Sequence, residues 1–175
     1  SRGSNLPKRV RDEIMIDGEK TVELDYSSYH PTMIAAMCSE TLLNDPYSLP
    51  SDLVDGWDRA DHKKAINALL NCSSKKAANG FLQSVNVEKP SKYIAEVLKL
   101  SPFMKTFIGT DSGVKLQKAD SDIANKVMVE FIKKTGSAVL CWHDSFRVQA
   151  KHEDVLREIM EKTFREAFST SIEIK

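Results

Sequence analysis

The amino-acid sequence predicts an α+β fold in which an antiparallel β-sheet packs against helices. Two strand–turn–strand patterns support this prediction, one near each end of the chain, because short turns join antiparallel rather than parallel strands. The third observation is a series of apolar residues at helical spacing between and after the two patterns. The sequence contains no internal repeat and no low-complexity segment.

The composition is that of an ordinary globular domain. The chain has 175 residues, of which 41% are hydrophobic, and its 25 basic and 25 acidic side chains leave no net charge. This excludes a disordered chain and a strongly basic one, although a local basic surface is compatible with overall neutrality. We expect residues 1–10 to be a flexible N-terminal segment or an expression remnant. Residues 11–175 are expected to form one domain with a helical insertion at about residues 44–118.

The cysteines and the hydropathy pattern indicate where the protein works. Cys38, Cys72 and Cys141 have no CxxC spacing and are typical of small buried residues in a reducing compartment. No stretch approaches the roughly 20 apolar residues that cross a bilayer. We therefore expect an intracellular, cytoplasmic protein with no membrane partner.

The first strand–turn–strand pattern covers residues 11–26. Asp17-Gly18-Glu19-Lys20 is a turn signal between two runs that favour strands. In the second run alternate apolar residues share one face, and Asp25 lies on the other. A short helical pattern begins at Pro31.

The middle of the chain reads as a loop over residues 44–58 followed by helices. The helices predicted here cover residues 59–72, 74–84 and 91–108, the last interrupted by Ser101-Pro102. Lys63, Asn67 and Asn71 recur at steps of four, so they lie on one polar face of the first of these helices.

The last third of the chain gives the clearest pattern. Its predicted elements are a helix over 120–134, a strand over 138–142, a turn at 143–145, a strand over 146–150, a helix over 153–168 and an edge strand over 170–174. Apolar residues of the second strand alternate with Arg147 and Gln149. Asp120 and Asp122 begin the helix predicted over 120–134. Acidic side chains at a helix N-terminus interact favourably with the helix dipole, so these two residues need no catalytic role.

Two aspartates lie where strands end or turn. Asp25 ends the second strand of the first pattern, and Asp144 lies at the tip of the second pattern. Carboxylate oxygens are the ligands that Mg²⁺ prefers, and the ion takes only one or two from the protein in phosphoryl-transfer sites. The residues permit such a site without requiring it.

Three short strings resemble the motifs of DNA polymerases. Residues 25–34, Asp-Tyr-Ser-Ser-Tyr-His-Pro-Thr-Met-Ile, resemble motif A, with an opening similar to family A and a continuation similar to family B. Residues 139–146, Val-Leu-Cys-Trp-His-Asp-Ser-Phe, resemble motif C of family A, and their second half is similar to that of single-subunit phage RNA polymerases. Between them, the helix with Lys63 and Lys64 resembles motif B, so the motifs follow the family's order. The resemblance spans about residues 20–150 and departs from the family in motif B, which lacks the usual aromatic residue and Tyr-Gly pair.

The resemblance implies a palm-like domain and a template-directed nucleotidyltransferase that extends a 3′-hydroxyl and releases pyrophosphate. Two Mg²⁺ or Mn²⁺ ions would be held by Asp25 and Asp144 as catalytic residues. Nucleotide binding would involve Lys63 or Lys64, Asn67, His30 and Tyr26, and nucleic-acid binding would involve His143, Lys75 and Lys76. The implied partners are nucleoside triphosphates, a primer–template and a further domain or subunit supplying the thumb. The resemblance implies a minimal polymerase encoded by a phage, plasmid or mobile element in a bacterial host, a fragment of a larger polymerase, or a subunit that relies on a partner to hold the nucleic acid.

Each of these residues also has an ordinary alternative. A lone aspartate at a hairpin tip often serves the turn, and Asp25 can cap the helix that follows it. His30 and His143 can pack, and lysines on amphipathic helices are mostly solvated. Two other functions are also compatible with the sequence. One is a palm-like module that binds nucleic acid or a replication partner with weak or no catalysis, and the other is a two-metal nuclease.

Overall fold

A computed structural model describes residues 6–175, and the chain divides into two units. The sheet unit runs from the N-terminus to Tyr29 and continues over Ala119–Lys175, and the helical unit is His30–Lys118. Residues 1–5 of the expected flexible segment lie outside the described residues, and Lys8–Arg11 forms the short helix α1. The expected helical insertion, residues 44–118, falls within the helical unit.

The sheet unit is built on four antiparallel strands in the order β1-β2-β4-β3. The strands are β1 (Met15–Ile16), β2 (Glu19–Asp25), β3 (Leu140–Trp142) and β4 (Ser145–Gln149). β1 and β2 meet through Asp17-Gly18, whose φ angles of +51° and +76° suit a tight hairpin turn of type I′. The predicted α+β class, with an antiparallel sheet packed against helices, is confirmed.

One face of the sheet forms the core of this unit. In the paired strands β2 and β4, Leu24 lies opposite Phe146 and Val22 opposite Val148. They pack with helix α7 (Glu153–Phe168), whose Leu156, Ile159, Met160 and Phe164 are buried.

The other face of the sheet is polar yet largely covered. Arg147 and Gln149 of β4 were expected on the polar face of an amphipathic strand, and both are buried. Arg147 donates hydrogen bonds to Asp12 and Glu23 at 2.8 Å each and to Thr21 at 2.9 Å. Because residues 11–14 lie against this face, both faces of β4 are shielded from solvent.

The C-terminus extends the sheet at the end of β2. Backbone hydrogen bonds join Asp25 and Lys175 in both directions, at 2.8 and 3.0 Å, and Tyr26 forms an antiparallel bridge with Ile174. The predicted edge strand over 170–174 is therefore reduced to a short pairing that holds the backbone of Asp25.

Helix α6 (Gly113–Thr135) begins seven residues earlier than predicted. Gly113 allows this start, because a Cβ atom there would lie 2.8 Å from the carbonyl oxygen of Leu70. Asp120 and Asp122 consequently lie in the helix interior, and the explanation that they favour a helix N-terminus is wrong.

The helical unit contains α2 (Tyr29–Met37) from its second residue onward, α3 (Arg59–Leu70), α4 (Lys75–Ser84), α5 (Pro90–Leu100), a 3-10 turn at Pro102–Thr106 and the start of α6. Asp58 begins α3 with a capping box, in which it accepts from the backbone of Ala60 and Asp61. The predicted break at Ser101-Pro102 separates α5 from the 3-10 turn. None of the helices in the described part of the chain has the length and apolar character needed to cross a membrane.

The burial of His62 makes the stability of the protein depend on pH. Its side chain is buried, its Nδ1 lies 3.1 Å from the Tyr93 hydroxyl, and burial lowers the pKa of His62 below its ordinary 6.5. At acidic pH the folded protein then binds fewer protons than the unfolded chain. The contribution of the neutral His62 to the free energy of unfolding is therefore present above about pH 6.5 and is lost as the pH falls further.

We expect urea unfolding to show a larger loss of stability between about pH 7.5 and pH 5.5 in wild type than in His62→Phe, which cannot titrate there. His143→Gln removes an exposed histidine and serves as the control. An equal loss in wild type and His62→Phe would contradict the assignment.

Candidate active site

The fold brings Asp25 and Asp144 to the same end of the sheet. Asp25 is the last residue of β2 and lies opposite Ser145, the first residue of β4. The carbonyl oxygen of Asp144 accepts a hydrogen bond from the backbone N–H of Tyr26 at 3.1 Å. Asp25, at the end of β2, and Asp144, in the turn that precedes β4, are thus neighbours along the backbone at this end of the sheet.

A two-residue turn determines where Asp144 lies. β3 ends at Trp142 and pairs with Ser145, so His143 and Asp144 form the turn, which the Ser145 hydroxyl closes by donating to the Trp142 carbonyl at 3.1 Å. His143 is exposed and has a φ of +54°, a conformation uncommon outside glycine and often found at functional sites. Because Asp144 belongs to this turn, strand alternation does not fix the direction of its side chain.

A third carboxylate, Asp120 of α6, lies near this end of the sheet. Burial, reinforced by the charges of Asp120 and Asp144, raises the pKa of Cys141 to about 11. Burial and the same two carboxylates also raise the pKa of Tyr29. Both carboxylates are therefore close to Tyr29 and Cys141. Sequence reasoning assigned Asp120 to the start of a helix and to no functional role, because the extra turns of α6 were not predicted.

The donor set suits a hard divalent cation that shares its coordination with a substrate. Both carboxylates are partly exposed, Asp25 at the end of β2 and Asp144 in the turn before β4. Among residues 6–175, no three or more His, Cys, Asp or Glu side chains are grouped so as to hold a metal ion by themselves. Mg²⁺ commonly takes one or two carboxylates from the protein and completes its shell with water and phosphate oxygens.

The burial of Tyr26 contradicts the expectation that its side chain binds a nucleotide. Its side chain is 1% exposed, its hydroxyl donates to the Met160 carbonyl at 2.7 Å, and its ring stacks on Tyr29 with centroids 4.8 Å apart. Burial raises the pKa of Tyr26, which keeps the hydroxyl protonated. Tyr26 offers no accessible side-chain atom to a nucleotide and instead fixes the strand end that carries Asp25.

The expected nucleotide-binding residues outside the strands lie in the helical unit. Lys64 is 80% exposed and pairs with Asp61 at 3.5 Å, whereas Lys63 is partly buried and lies on the same face of α3 as Asn67. The Oδ1 atom of Asn67 is buried and has no hydrogen-bond partner within the described chain. His30 is a partly buried residue at the start of α2. Lys63 is therefore the less exposed of the two lysines, and it lies one helical turn before Asn67.

Lys75 and Lys76 form an exposed basic surface. They are the first two residues of α4, and no acidic residue occupies that first turn. The N-terminal end of a helix is already positive, so two lysines there create a locally cationic surface on a neutral chain.

The four-stranded antiparallel sheet and its helices form a polymerase palm-like fold. The chain is similar to a solved structure described as the POL domain of Pol1 from M. smegmatis in complex with DNA primer-template and dNTP. The TM-score is 0.60 at 15% sequence identity, and the match covers 96% of this chain and 41% of that chain. No protein-family model matches the sequence, and neither does any curated protein. The similarity therefore establishes the fold, and the chain spans less than half of the matched polymerase.

Proposed function

We propose that this protein is a template-directed nucleotidyltransferase of the DNA polymerase type, which joins a nucleotide to a 3′-hydroxyl and releases pyrophosphate. The observation that supports it most strongly is that the backbones of Asp25, at the end of β2, and Asp144, in the turn before β4, lie side by side at one end of a polymerase palm-like sheet. Rigid strand ends hold ligands more accurately than loops do.

In this proposal Asp25 and Asp144 hold two Mg²⁺ or Mn²⁺ ions. When bound, such ions lower the pKa of an attacking hydroxyl and offset the charge of the leaving phosphates. The protein contributes the fixed backbone beneath them: Tyr26 anchors β2 to α7, and the pairing of Asp25 with Lys175 ties down the strand end.

Further residues of each unit are proposed to bind substrate. Lys63, with Asn67 and His30, binds the incoming nucleoside triphosphate, where an ammonium group offsets phosphate charge. Lys75, Lys76 and His143 contact the primer–template, and their exposure supports this role. A further domain or subunit provides the thumb.

The test is single-nucleotide addition to a labelled DNA primer–template at low salt, which does not require a processive enzyme. We expect incorporation of the templated nucleotide with Mg²⁺ or Mn²⁺ and none without a metal ion. Binding of the primer–template with no incorporation of deoxy- or ribonucleotides would instead favour a non-catalytic module. Degradation of an unpaired strand without added nucleotides would favour a nuclease.

A further inference from the structure

Arg11 lies over the polar face of the sheet, on the side that carries Asp25. Residues directly opposite each other in antiparallel strands share a face, so Asp25, Ser145 and Trp142 form one row and Glu23 and Arg147 belong to the next. The Arg11 guanidinium carbon is 5.7 Å from the centroid of the Trp142 ring, and Nη1 is 3.1 Å from Glu23 Oε1. Arg11 thus spans the sheet from β3 to β2.

Arg11 shares its carboxylate partner with a second arginine. Glu23 is already bonded at 2.8 Å to the buried Arg147, which also pairs with Asp12. The Nε–H of Arg11 is buried and has no hydrogen-bond partner within residues 6–175. The Arg11 side chain is still 20% exposed. Arg11 therefore holds Glu23 jointly with Arg147, and its partly exposed guanidinium can donate to a further anion.

Arg11 is also close to the proposed reaction centre. Glu23 and Asp25 are two residues apart on the same strand face, a separation of roughly 7 Å. An anion that approaches Asp25 along this face therefore meets Arg11. A guanidinium held flat by an aromatic ring and a carboxylate suits phosphate oxygens, which it binds through paired N–H donors.

We propose that Arg11 binds a backbone phosphate of the nucleic-acid strand whose 3′ end reaches Asp25. Trp142 and Glu23 act as positioning residues that hold the guanidinium plane. This inference rests on the proposed function, because it places the 3′ end of the primer at the partly exposed Asp25.

The first test measures the affinity for a fluorescein-labelled DNA primer–template by anisotropy, without metal ion or nucleotide, over a range of salt concentrations. We expect Arg11→Ala to weaken binding about tenfold and to reduce the slope of log affinity against log salt by about 0.9, the loss of one phosphate contact. Arg9→Ala removes the same charge from an exposed position on α1 and is expected to change the affinity less than threefold.

Glu23→Gln supplies a second test that leaves Arg11 intact. Removing the competing carboxylate is expected to raise the affinity severalfold in wild type and to have no effect in the Arg11→Ala background. Glu13→Gln, at an exposed site, controls for the change in net charge. Thermal unfolding of each variant shows that the affinities are measured on folded protein.

Equal affinities of Arg11→Ala and Arg9→Ala for the primer–template would overturn the inference. A gain in affinity from Glu23→Gln that persists in the Arg11→Ala background would also overturn it. Failure of the proposed function would give a different result, in which wild type binds the primer–template without extending it. The affinities of the Arg11 and Glu23 variants for the primer–template would still decide the role of Arg11. Asp25→Asn separates the two readouts, since it is expected to bind DNA and not extend it.

Discussion

Asp25→Asn and Asp144→Asn are each expected to reduce nucleotide incorporation by at least about a thousandfold, with the fold retained. Either change removes a carboxylate that the proposal assigns to the divalent cations, which supply several kcal/mol of transition-state stabilisation. At about 1.4 kcal/mol for each tenfold change in rate, this corresponds to three orders of magnitude or more. Single-turnover incorporation at saturating nucleotide measures the effect.

The matched control is Asp122→Asn, which changes the same group at an exposed position on α6. We expect its incorporation rate to stay within about threefold of wild type. The rate of Asp120→Asn is expected to lie between that of the control and those of the Asp25 and Asp144 variants, because the Asp120 carboxylate lies near Tyr29 and Cys141. Normal incorporation by Asp25→Asn or Asp144→Asn would remove that residue from the site.

Arg147→Ala is expected to destabilise the protein by about 3–5 kcal/mol, the usual cost of breaking a buried ion pair from one side. Arg147 is 1% exposed and joins Glu23, Asp12 and Thr21 through hydrogen bonds of 2.8 to 2.9 Å. Without it, Glu23 keeps only Arg11 as a partner and a cavity opens beneath residues 11–14. Urea unfolding at neutral pH measures the loss.

Lys151→Ala provides the comparison, because Lys151 forms an ion pair of the same length, 2.8 Å, with Glu19 on the surface of the same unit. Exposed pairs contribute at most about 1 kcal/mol. If Arg147→Ala costs no more than Lys151→Ala, the buried network does not stabilise the sheet unit.

Local patterns predicted the elements of this fold well, because alternation and helical spacing report directly on which side of an element is apolar. They did not predict what covers the polar side. Arg147 alternates with apolar neighbours as an exposed residue would, yet it is buried, because its partners Asp12 and Glu23 come from distant parts of the chain.

Local patterns also predicted the candidate site only in part. The motif strings identified Asp25 and Asp144 as strand-end residues, but their adjacency depends on the pairing of β2 with β4, which no local pattern encodes. Tyr26 was expected to bind a nucleotide because of its motif, whereas its ring fills the core under α7. Asp120 was assigned to a helix start because a glycine-flanked stretch concealed the first turns of α6.

The central claim is that Asp25 and Asp144 together hold divalent cations for nucleotidyl transfer. A crystal structure with Mn²⁺, a primer–template and a non-hydrolysable nucleotide tests it most directly, because anomalous scattering locates the metal. We expect two peaks roughly 3.5–4 Å apart, in contact with both carboxylates and with the nucleotide phosphates. Nucleotide and Mn²⁺ bound away from Asp25 and Asp144 would contradict the claim.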